Sequence, residues 1–587
     1  MKRLFLAALI MISSIPCMAQ QTFVNKEIDL SQTLASNIAV IGGSLACQPV
    51  RTSYGYVAAG DGKQIYGFTQ EGRLLWQRTA KFRLKKFISV LSEDLICVVS
   101  TDSQIALLNS SGLFLWTSKS DFTVMDEPFQ GADGRIFVRG KNYLSCYGMK
   151  GTRRWETKTE EQNSKLKPSL LNDGSVVVFL SRMQDGKTVG TRISPFGEFI
   201  EEIVFAGQVL SAHSTAYGTA LTFSDGSAGL LAIENNAAIS KWTIPSVSGI
   251  LSLPLNVICD RKNDLLYFVH GPSSRIACVE TKTGNVISSF DTQIGTSDIK
   301  YMTLTSQGVV LCSQSKGHCY KKDGDLAWKV KFDPQKKTKY MFVSDSGYIV
   351  LCNSNWTMEL YQTRLNLEKT RSSFYEMKAA RLKLDESRGM YPSSYEYGRL
   401  IEDKELEQIS ESFSKGDFSE KEKDSLSLLH LEITEMTSQW NRNRSQGQRD
   451  SLYFRNNIPY SSSLIETACR TEVYFCRNEL ISLMKNTSDP SFLLHLVKCA
   501  GIAAWDPGEE MLSAIEYLMN TKRVSPKDIL LLNEIADTTW EICRFMGRPA
   551  YFQKGRQILG YMLYPQFPKE IRDKAVEIMR KIADSKL

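Results

Sequence analysis

One short marker recurs along the first half of the sequence, and it constrains the fold more than any other feature. The marker reads "EGRLLW" at 71–76, "SGLFLW" at 111–116 and "KGTRRW" at 150–155, with a glycine four residues before a tryptophan. Its tryptophans, separated by 40, 39, 87 and 86 residues, are Trp76, Trp116, Trp155, Trp242 and Trp328. The two long gaps are each about twice the short ones, so two units have lost the tryptophan, and we place their markers at 196–205 and 283–292. A fixed period of about 40 residues indicates a repeat architecture.

Each marker ends a longer unit that reads as strands joined by tight turns. In residues 55–76, "GYVAAGDGKQIYGFTQEGRLLW", runs rich in Val, Ile, Tyr and Phe alternate with glycine-containing turns, which is typical of hairpin-linked strands. A further apolar run precedes each trio. We count eight such units from about Ile38 to Lys369, the last ending in a degraded marker at 361–370. Four short antiparallel strands per unit predict an eight-bladed β-propeller over residues 20–371.

The marker's glycine and tryptophan are predicted to have structural roles. A glycine in the turn between the third and fourth strands allows positive φ at low cost. The large tryptophan ring on the fourth strand is expected to cover the seam with a neighbouring blade rather than to bind a ligand. The predicted turn glycines are Gly72, Gly112, Gly151, Gly197, Gly284 and Gly324.

The repeat resembles a known family. Residues 106–116, "ALLNSSGLFLW", and 278–288, "CVETKTGNVIS", are similar to the pyrroloquinoline-quinone-type propeller repeat, whose pattern is roughly A-x-D-x-x-x-G-x-x-x-W. Ala106, Gly112 and Trp116 match it in the first stretch, and Glu280 and Gly284 match it in the second. The resemblance extends over about 330 residues and implies the fold more strongly than an activity, because one fold supports many functions.

The resembling repeat implies two different functional groups. One comprises quinone-dependent dehydrogenases, which bind the quinone and Ca²⁺ in the propeller channel. The other comprises non-enzymatic scaffolds, such as the lipoprotein of the outer-membrane β-barrel assembly machinery, the BamB family. The adjacent cysteine pair of the enzymes is absent from this sequence, and Phe68 and Leu108 replace the acidic repeat position. No oxygen-rich cluster suited to Ca²⁺ stands out.

We therefore expect a non-catalytic scaffold with no cofactor and no catalytic, cofactor-binding or metal-binding residues. The five histidines are scattered without metal-ligand spacing, and no nucleophile-elbow or phosphate-loop motif occurs. A periplasmic quinone-dependent enzyme and a propeller that binds carbohydrate or another surface ligand remain alternatives. They differ from the scaffold in requiring a ligand site in the channel or on a face.

The amino terminus predicts export. Lys2 and Arg3 precede an apolar run at 4–12, and Cys17 and Ala19 stand at the small-residue places of a cleavage site. This is the pattern of a secretory signal peptide at 1–19, with lipid attachment at Cys17 as the alternative. The periplasm or cell envelope is the expected location, and no later run is apolar for the roughly 20 residues of a membrane-spanning helix. The formal charge of +7 falls to about +5 without Lys2 and Arg3, so nucleic acid is not an expected partner, whereas peripheral membrane association stays open.

The cysteines occur in two repeated contexts. Free cysteine behaves as a small buried hydrophobe, so repeated placement in strand-like runs predicts core positions. The first context holds Cys97, Cys312 and Cys352, and the second holds Cys146, Cys278 and Cys319. A disulfide between Cys312 and Cys319 across a short hairpin is the alternative.

The periodicity changes to a helical one after about Arg371. Apolar residues recur at helical spacing, and helix starts of the type acid or serine followed by proline occur at Asp489-Pro490, Asp506-Pro507 and Ser525-Pro526. Consecutive helices with short turns predict a helical domain over 372–587. Its period resembles an α-solenoid of HEAT-like repeats, and a plain helical bundle is the alternative.

One stretch within this half combines arginines with aromatic residues. Its candidate partner-docking residues are Trp440, Arg442, Arg444, Arg449, Tyr453 and Phe454. Arginine and tyrosine are frequent anchors at protein interfaces, and a solvated loop is the alternative. Export makes nucleic acid an improbable ligand for this stretch. The predicted partner is therefore an unidentified protein of the cell envelope.

Overall fold

A computed structural model of the chain describes residues 27–362 and 477–585, apart from short gaps in the first range and residues 487–489 in the second. Residues 27–362 form eight sheets arranged as the blades of a β-propeller. The inner strands of successive blades are neighbours, so the sheets stand around a central channel. The predicted fold class, an eight-bladed propeller followed by an all-helical region, is confirmed.

The strands follow the chain in the order of the blades. Two short strands, β1 (Glu27–Asp29) and β2 (Asn37–Val40), come before blade 1 in the sequence. Blade 1 contains β3 (Val50–Arg51), β4 (Gly55–Ala59), β5 (Gln64–Thr69) and β6 (Leu74–Thr79). Blade 2 contains β7 (Leu84–Val90), β8 (Ile96–Ser100), β9 (Gln104–Leu108) and β10 (Phe114–Lys119). Blade 3 contains β11 (Phe129–Gln130), β12 (Ile136–Arg139), β13 (Tyr143–Tyr147) and β14 (Arg153–Lys158). Blade 4 contains β15 (Ser169–Leu170), β16 (Val176–Gln184), β17 (Lys187–Ile193) and β18 (Phe199–Val204).

The second half of the ring repeats the arrangement. Blade 5 contains β19 (Val209–Thr215), β20 (Gly218–Phe223), β21 (Ala228–Glu234) and β22 (Ala237–Ile244). Blade 6 contains β23 (Pro254–Asp260), β24 (Leu265–His270), β25 (Arg275–Glu280) and β26 (Val286–Asp291). Blade 7 contains β27 (Tyr301–Thr305), β28 (Gly308–Cys312), β29 (Lys316–Tyr320) and β30 (Leu326–Lys331). Blade 8 contains β31 (Thr338–Val343), β32 (Tyr348–Asn353) and β33 (Thr357–Gln362), with β2 as its fourth strand.

The ring closes in a way that the repeat pattern did not predict. The outer strand of blade 8 is β2, which pairs antiparallel with β33 so that Ile38 lies opposite Glu359. The expectations that blade 1 starts near Ile38 and that the marker at 361–370 ends blade 8 were therefore wrong. Joining β2 to the last blade ties the two ends of the propeller together by backbone hydrogen bonds.

A second amino-terminal strand extends blade 7. β1 runs parallel to β30 and becomes the fifth strand of that sheet. The Glu27 carboxylate lies 2.9 Å from Lys329 Nζ and 2.5 Å from Lys331 Nζ. These ion pairs are exposed, so the backbone pairing rather than the charges holds the added strand.

The strands inside each blade read as continuous apolar runs because both of their faces are covered. β4, β8, β12 and β28 are buried at every residue, whereas the outer strands β6, β10 and β14 expose about every second residue. All six cysteines of the two repeated contexts are buried, on the second or third strand of their blades. Their predicted core placement is confirmed.

The alternative disulfide is not formed. Cys312 lies opposite Gly317 and Cys319 lies opposite Val310, so the two thiols do not face each other across the hairpin. Both cysteines are free. The register places them at different levels of one apolar cluster with Tyr301 and Trp328.

Residues 477–585 contain six α-helices. They are α1 (Arg477–Asn486), α2 (Pro490–Ala503), α3 (Glu510–Asn520), α4 (Ile529–Met546), α5 (Pro549–Tyr561) and α6 (Lys569–Asp584). α4 packs against α2, α5 and α6, while α3 packs against α1 and α5. The main packing pairs among these helices therefore join elements one or two apart in the chain, as in an α-solenoid. Assignment to the HEAT type stays a prediction.

The predicted helix starts are partly displaced. α2 begins at Pro490, but Pro507 begins a short 3-10 turn (Pro507–Glu509) before α3. The buried Asp506 carboxylate accepts hydrogen bonds from the backbone N–H groups of Met511 and Leu512, at 2.8 and 3.0 Å, and so satisfies the first turn of α3. Ser525-Pro526 lies in a turn, and α4 begins at Ile529.

Candidate functional site

The marker residues lie at the seams between blades. All six turn glycines have positive φ, from +75° at Gly72 to +94° at Gly324. The tryptophan of one blade packs on the glycine of the next blade rather than on its own. The pairs are Trp76 with Gly112, Trp116 with Gly151, Trp155 with Gly197, and Trp242 with Gly284. A Cβ at Gly284 would lie 2.7 Å from atoms of the Trp242 ring, so the ring occupies the space that a side chain would need.

Hydrogen bonds fix three of these rings to the neighbouring turn. The indole N–H of Trp76 donates to the Ser110 carbonyl at 3.0 Å, and that of Trp116 donates to the Met149 carbonyl at 2.7 Å. Trp242 donates in the same way to Thr281, at 2.9 Å. Each bond connects the fourth strand of one blade to the turn before the fourth strand of the next.

Where the marker has changed, other apolar side chains fill the seam. Gly324 packs on Phe290, which lies in the blade 6 marker that lacks a tryptophan, and Gly72 packs on Leu360 of blade 8. Trp328 is buried in the apolar cluster between blades 7 and 8, and its indole N–H has no hydrogen-bond partner among the described residues. The seams therefore tolerate replacement of the ring but keep a large apolar group.

A second feature joins the propeller to the helical domain. In a four-stranded meander the turn between strands one and two and the turn between strands three and four lie on the same face of the ring. We call this the turn face. Its residues on blades 1 to 3 contact one end of the helical domain, and one apolar cluster runs without a break from blades 2 and 3 into the helices.

Two aromatic rings of the helical domain contact blade 3 at this interface. Trp505, which follows α2, is 1% exposed, and a Cβ at Gly134 of blade 3 would lie 2.8 Å from its ring. Lys150 Nζ lies 4.6 Å from the centre of the Phe545 ring, which is a cation–π distance. The glycine turn of blade 3 thus makes room for the tryptophan of the helical domain.

Polar side chains of blade 2 cap the carboxyl end of α4. The last carbonyls of a helix have no partner within it. Asn109 Nδ2 donates to the Arg544 carbonyl at 2.7 Å, and Ser110 Oγ donates to the Met546 carbonyl at 3.3 Å. Gly547 ends the helix with φ of +65°, and a Cβ there would lie 2.5 Å from Asn109 Cγ. The close approach therefore requires glycine at this position.

An ion pair borders the interface on blades 1 and 2. Arg548 Nε lies 3.5 Å from Asp94 Oδ2, and Arg548 Nη2 donates to Ser53 Oγ at 3.4 Å. The Asp94 carboxylate also accepts a hydrogen bond from the Ser53 backbone N–H at 2.8 Å. Asp94 is 8% exposed, so this pair is largely removed from solvent.

A third feature is a cavity of about 680 Å³ in the channel, beside the inner strands of blades 1, 2, 7 and 8. Its volume falls within the usual size of small-ligand sites. The lining is mainly apolar, with Phe87, Ile88 and Phe342, and its charged members are Arg51 and Glu127. Glu127 is not free to bind a cation, because its carboxylate lies 2.7 Å from Lys167 Nζ.

One histidine on an inner strand is held in its neutral form. The pKa of His213, on the inner strand of blade 5, is lowered to about 4, first by burial and second by the positive charge of Lys167. Its imidazole is therefore neutral at neutral pH. The same group is a poor candidate for a general acid near pH 7.

The cavity does not fit the Ca²⁺-held quinone that the dehydrogenase group implies. Ca²⁺ takes six to eight oxygen ligands. The lining offers a single carboxylate, already paired with Lys167, and its other side-chain oxygens are the neutral ones of Gln48, Thr303 and Tyr340. Among the residues that the structure describes, no group of three or more His, Cys, Asp or Glu side chains is placed to hold a metal ion.

The predicted docking stretch falls in the part of the chain that the structure does not describe. Trp440, Arg442, Arg444, Arg449, Tyr453 and Phe454 lie outside the described residues. The interface residues Asn109, Gly134 and Trp505 were missed by sequence reasoning. Gly547 carries the usual signal of a helix end, but that signal does not identify the propeller turn that it contacts.

No curated protein matches the sequence. BamB from Moraxella catarrhalis is 10% identical, with a TM-score of 0.40 over 56% of this chain and 99% of that chain. Sqt1 from Saccharomyces cerevisiae is 8% identical, with a TM-score of 0.43 over 58% of this chain and 99% of its own. The virginiamycin B lyase from Staphylococcus aureus is 14% identical, with a TM-score of 0.34 over 47% and 94% of the two chains. Residues 61–255, from blade 1 to the start of blade 6, match the family model for the outer membrane protein assembly factor BamB, so this part of the propeller is similar to the pyrroloquinoline-quinone-like repeat.

Proposed function

We propose that the protein is a non-catalytic protein-interaction scaffold of the cell envelope, and that the turn face of its propeller binds a protein partner. One observation carries this proposal. The turn face of blades 1 to 3 already binds protein, because it holds the helical domain through Trp505, the capped end of α4 and the Arg548–Asp94 pair. A surface that satisfies backbone carbonyls and buries aromatic rings has the chemistry of a protein interface.

Other blades present the same kind of turns. On blade 6 the turn before the fourth strand exposes Lys282 and Thr283, and on blade 7 it exposes Lys321 and Lys322. The seam contacts of Gly284 and Gly324 with the preceding blade hold these turns in place. A rigid, broad face of this kind suits docking of a folded partner with little rearrangement.

The envelope location rests on two supports. The signal-peptide pattern at 1–19 predicts export, and the matching family model is that of an outer membrane assembly factor. None of the described helices is long and apolar enough to cross a membrane. A role in outer-membrane or envelope assembly follows from the family resemblance, and the partner is a protein still to be identified.

Site-specific photo-crosslinking in intact cells tests this function. A photoreactive residue at Lys282 lies on the turn face of blade 6, and one at Asp185 lies on the opposite face, in the exposed turn between β16 and β17. We expect a discrete crosslinked protein from position 282 and none from position 185. The same product from both positions, or none from position 282 and from position 322, would contradict the proposal.

The channel cavity supports a second candidate, a small-ligand site in the propeller. Its size and apolar lining with Arg51 at one side suit an amphipathic anion. Titration of the exported protein with pyrroloquinoline quinone, with and without Ca²⁺, and with a panel of oligosaccharides distinguishes this function. Saturable binding of a quinone or sugar at micromolar concentration, lost in Arg51→Ala, would replace the scaffold by a ligand-binding function.

A further inference from the structure

The helical domain has two ends of different character. Successive helices alternate in direction, since short connections join them, as at Gly547 and Arg548 between α4 and α5. The end formed by Trp505 and the carboxyl end of α4 contacts the propeller. The opposite end is formed by the carboxyl ends of α3 and α5 and the amino end of α4. α4 has 18 residues, so the two ends are separated by about 27 Å.

This opposite end, which we call the distal tip, exposes large apolar side chains. Leu530 at the start of α4 is 73% exposed, and Tyr564 after α5 is 57% exposed. Tyr517, Ile529 and Leu563, from the same three segments, are also exposed. Single exposed apolar residues need no explanation, but a group contributed by neighbouring chain segments marks an interaction surface.

Basic residues lie on one side of the apolar group. The connection between α3 and α4 contains Lys522, Arg523 and Lys527 with one acidic residue, Asp528. The Arg523 guanidinium lies 5.4 Å from the centre of the Tyr517 ring, and its Nη1 donates to the Lys485 carbonyl at 2.5 Å. The lysine side chains of this connection are exposed, and the segment 562–568 carries no charged residue, although α6 begins directly after it with the pair Lys569 and Glu570. The tip is therefore apolar at its centre and positively charged on one side.

We propose that the distal tip is a peripheral membrane-binding surface for anionic phospholipid. Leucine and tyrosine side chains enter the boundary between headgroups and acyl chains, while lysine and arginine contact anionic headgroups. Tyrosine is favoured at this depth because one end of the ring is apolar and the other is polar. An acidic protein would use the same charges, but it would not require Leu530 and Tyr564 to insert into a hydrocarbon layer.

The arrangement has a geometric consequence. With the tip on the membrane, the propeller stands on the far side of the helical domain, at the length of α4 from the lipid surface. Membrane binding at the tip and protein binding at the turn face of blades 4 to 8 then occur at separate surfaces. The inference goes beyond the scaffold function and does not depend on the identity of the protein partner.

Flotation with lipid vesicles tests the inference. The protein is the exported form beginning at Gln20, so that no lipid on Cys17 contributes. The anionic vesicles contain phosphatidylethanolamine with 30% phosphatidylglycerol, which gives a negative surface potential of about −30 mV or stronger. The neutral control vesicles contain phosphatidylcholine alone. We expect binding to the anionic vesicles that weakens at least tenfold between 0.05 and 0.5 M salt, about the range over which screening shortens from ~14 to ~4 Å.

Two tip variants and one control variant make the assay specific. Leu530→Ser with Tyr564→Ser removes the inserting groups, and Lys522→Glu with Lys527→Glu reverses the charge. Phe199→Ser removes a 63% exposed side chain from the outer strand of blade 4 and serves as the control. We expect each tip variant to reduce the vesicle-bound fraction at least tenfold and the control to leave it unchanged, with unaltered circular dichroism in all three. The proposal would be overturned if the parent protein did not bind vesicles, or if all variants bound them equally. It would also be overturned if the serine variant lost self-association but still bound vesicles.

Discussion

Substituting alanine for Gly284 tests the seam geometry, because the chain supplies a matched control. Gly284 has φ of +77° and Gly186 has φ of +74°, so alanine at either position adopts the same left-handed backbone. At Gly284 the new Cβ would lie 2.7 Å from Trp242, whereas at Gly186 nothing lies within 4 Å. The two substitutions therefore differ in whether a blade seam must rearrange.

The expected magnitudes follow from these two environments. Alanine in the left-handed region costs about 1–2 kcal/mol, and this is the whole cost at Gly186. At Gly284 the displaced ring adds about 1–3 kcal/mol of overpacking strain, and about 1 kcal/mol more where the bond from Trp242 to the Thr281 carbonyl is lost. We predict that Gly284→Ala reduces the free energy of unfolding by about 2–6 kcal/mol.

Urea unfolding followed by far-ultraviolet circular dichroism measures the difference. A double-mutant cycle with Trp242→Leu isolates the contact, since removing the ring removes the atoms that the Cβ would strike. We expect the extra cost of Gly284→Ala to disappear in the Trp242→Leu background. Equal destabilisation by Gly284→Ala and Gly186→Ala would refute the assignment of the marker to the seam.

Three other predictions concern the interface, pH and thiols. Trp505→Ala should lower the stability of the helical domain by about 3–5 kcal/mol and speed amide hydrogen exchange in the blade 2 turn 109–113, whereas Trp505→Phe should change both much less. An unchanged exchange rate in Trp505→Ala would contradict the docked interface. Burial lowers the pKa of His318 to about 4, whereas in the unfolded chain the pKa is about 6.5, so the unfolded chain binds the proton first as pH falls. The free energy of unfolding should therefore decrease between about pH 6.5 and pH 4, by about 2 kcal/mol at pH 5. In denaturant titrations, His318→Gln should remove that part of the pH dependence. Burial raises the pKa of the Cys97 and Cys319 thiols to about 12, so iodoacetamide at pH 8 should leave both unmodified in the native protein. In urea the same reagent should label both as free thiols. A Cys312–Cys319 disulfide in the mass spectrum would contradict the structure.

The seams could be predicted from sequence because they repeat. The same local requirement, a left-handed turn beside a large ring, recurs at a constant period and leaves a visible trace at Gly112 and Gly151. Ring closure leaves no such trace, because β2 and β33 pair once, across more than 300 residues. The pattern assigned Ile38 to the wrong blade for this reason.

The domain interface could not be predicted for a related reason. Asn109 and Ser110 belong to an ordinary turn sequence, and their role arises only because the carboxyl end of α4 approaches them. Trp505 sits in an apolar helical stretch that reads as core, which it is, but the sequence does not reveal that blade 3 supplies part of that core. Likewise, the channel cavity is formed by inner strands from four blades that no local pattern connects.

The turn face of the propeller is the proposed binding surface for a protein partner. The most direct test is the affinity of the partner recovered by crosslinking, measured with the purified exported protein and with Lys282→Glu/Lys322→Glu, whose changes lie on the turn face of blades 6 and 7. We predict saturable binding with a Kd of about 10 μM or tighter and at least tenfold weaker binding by the variant, a loss of about 1.4 kcal/mol or more. Equal affinity for both proteins, or binding abolished by Arg51→Ala in the channel instead, would contradict the claim.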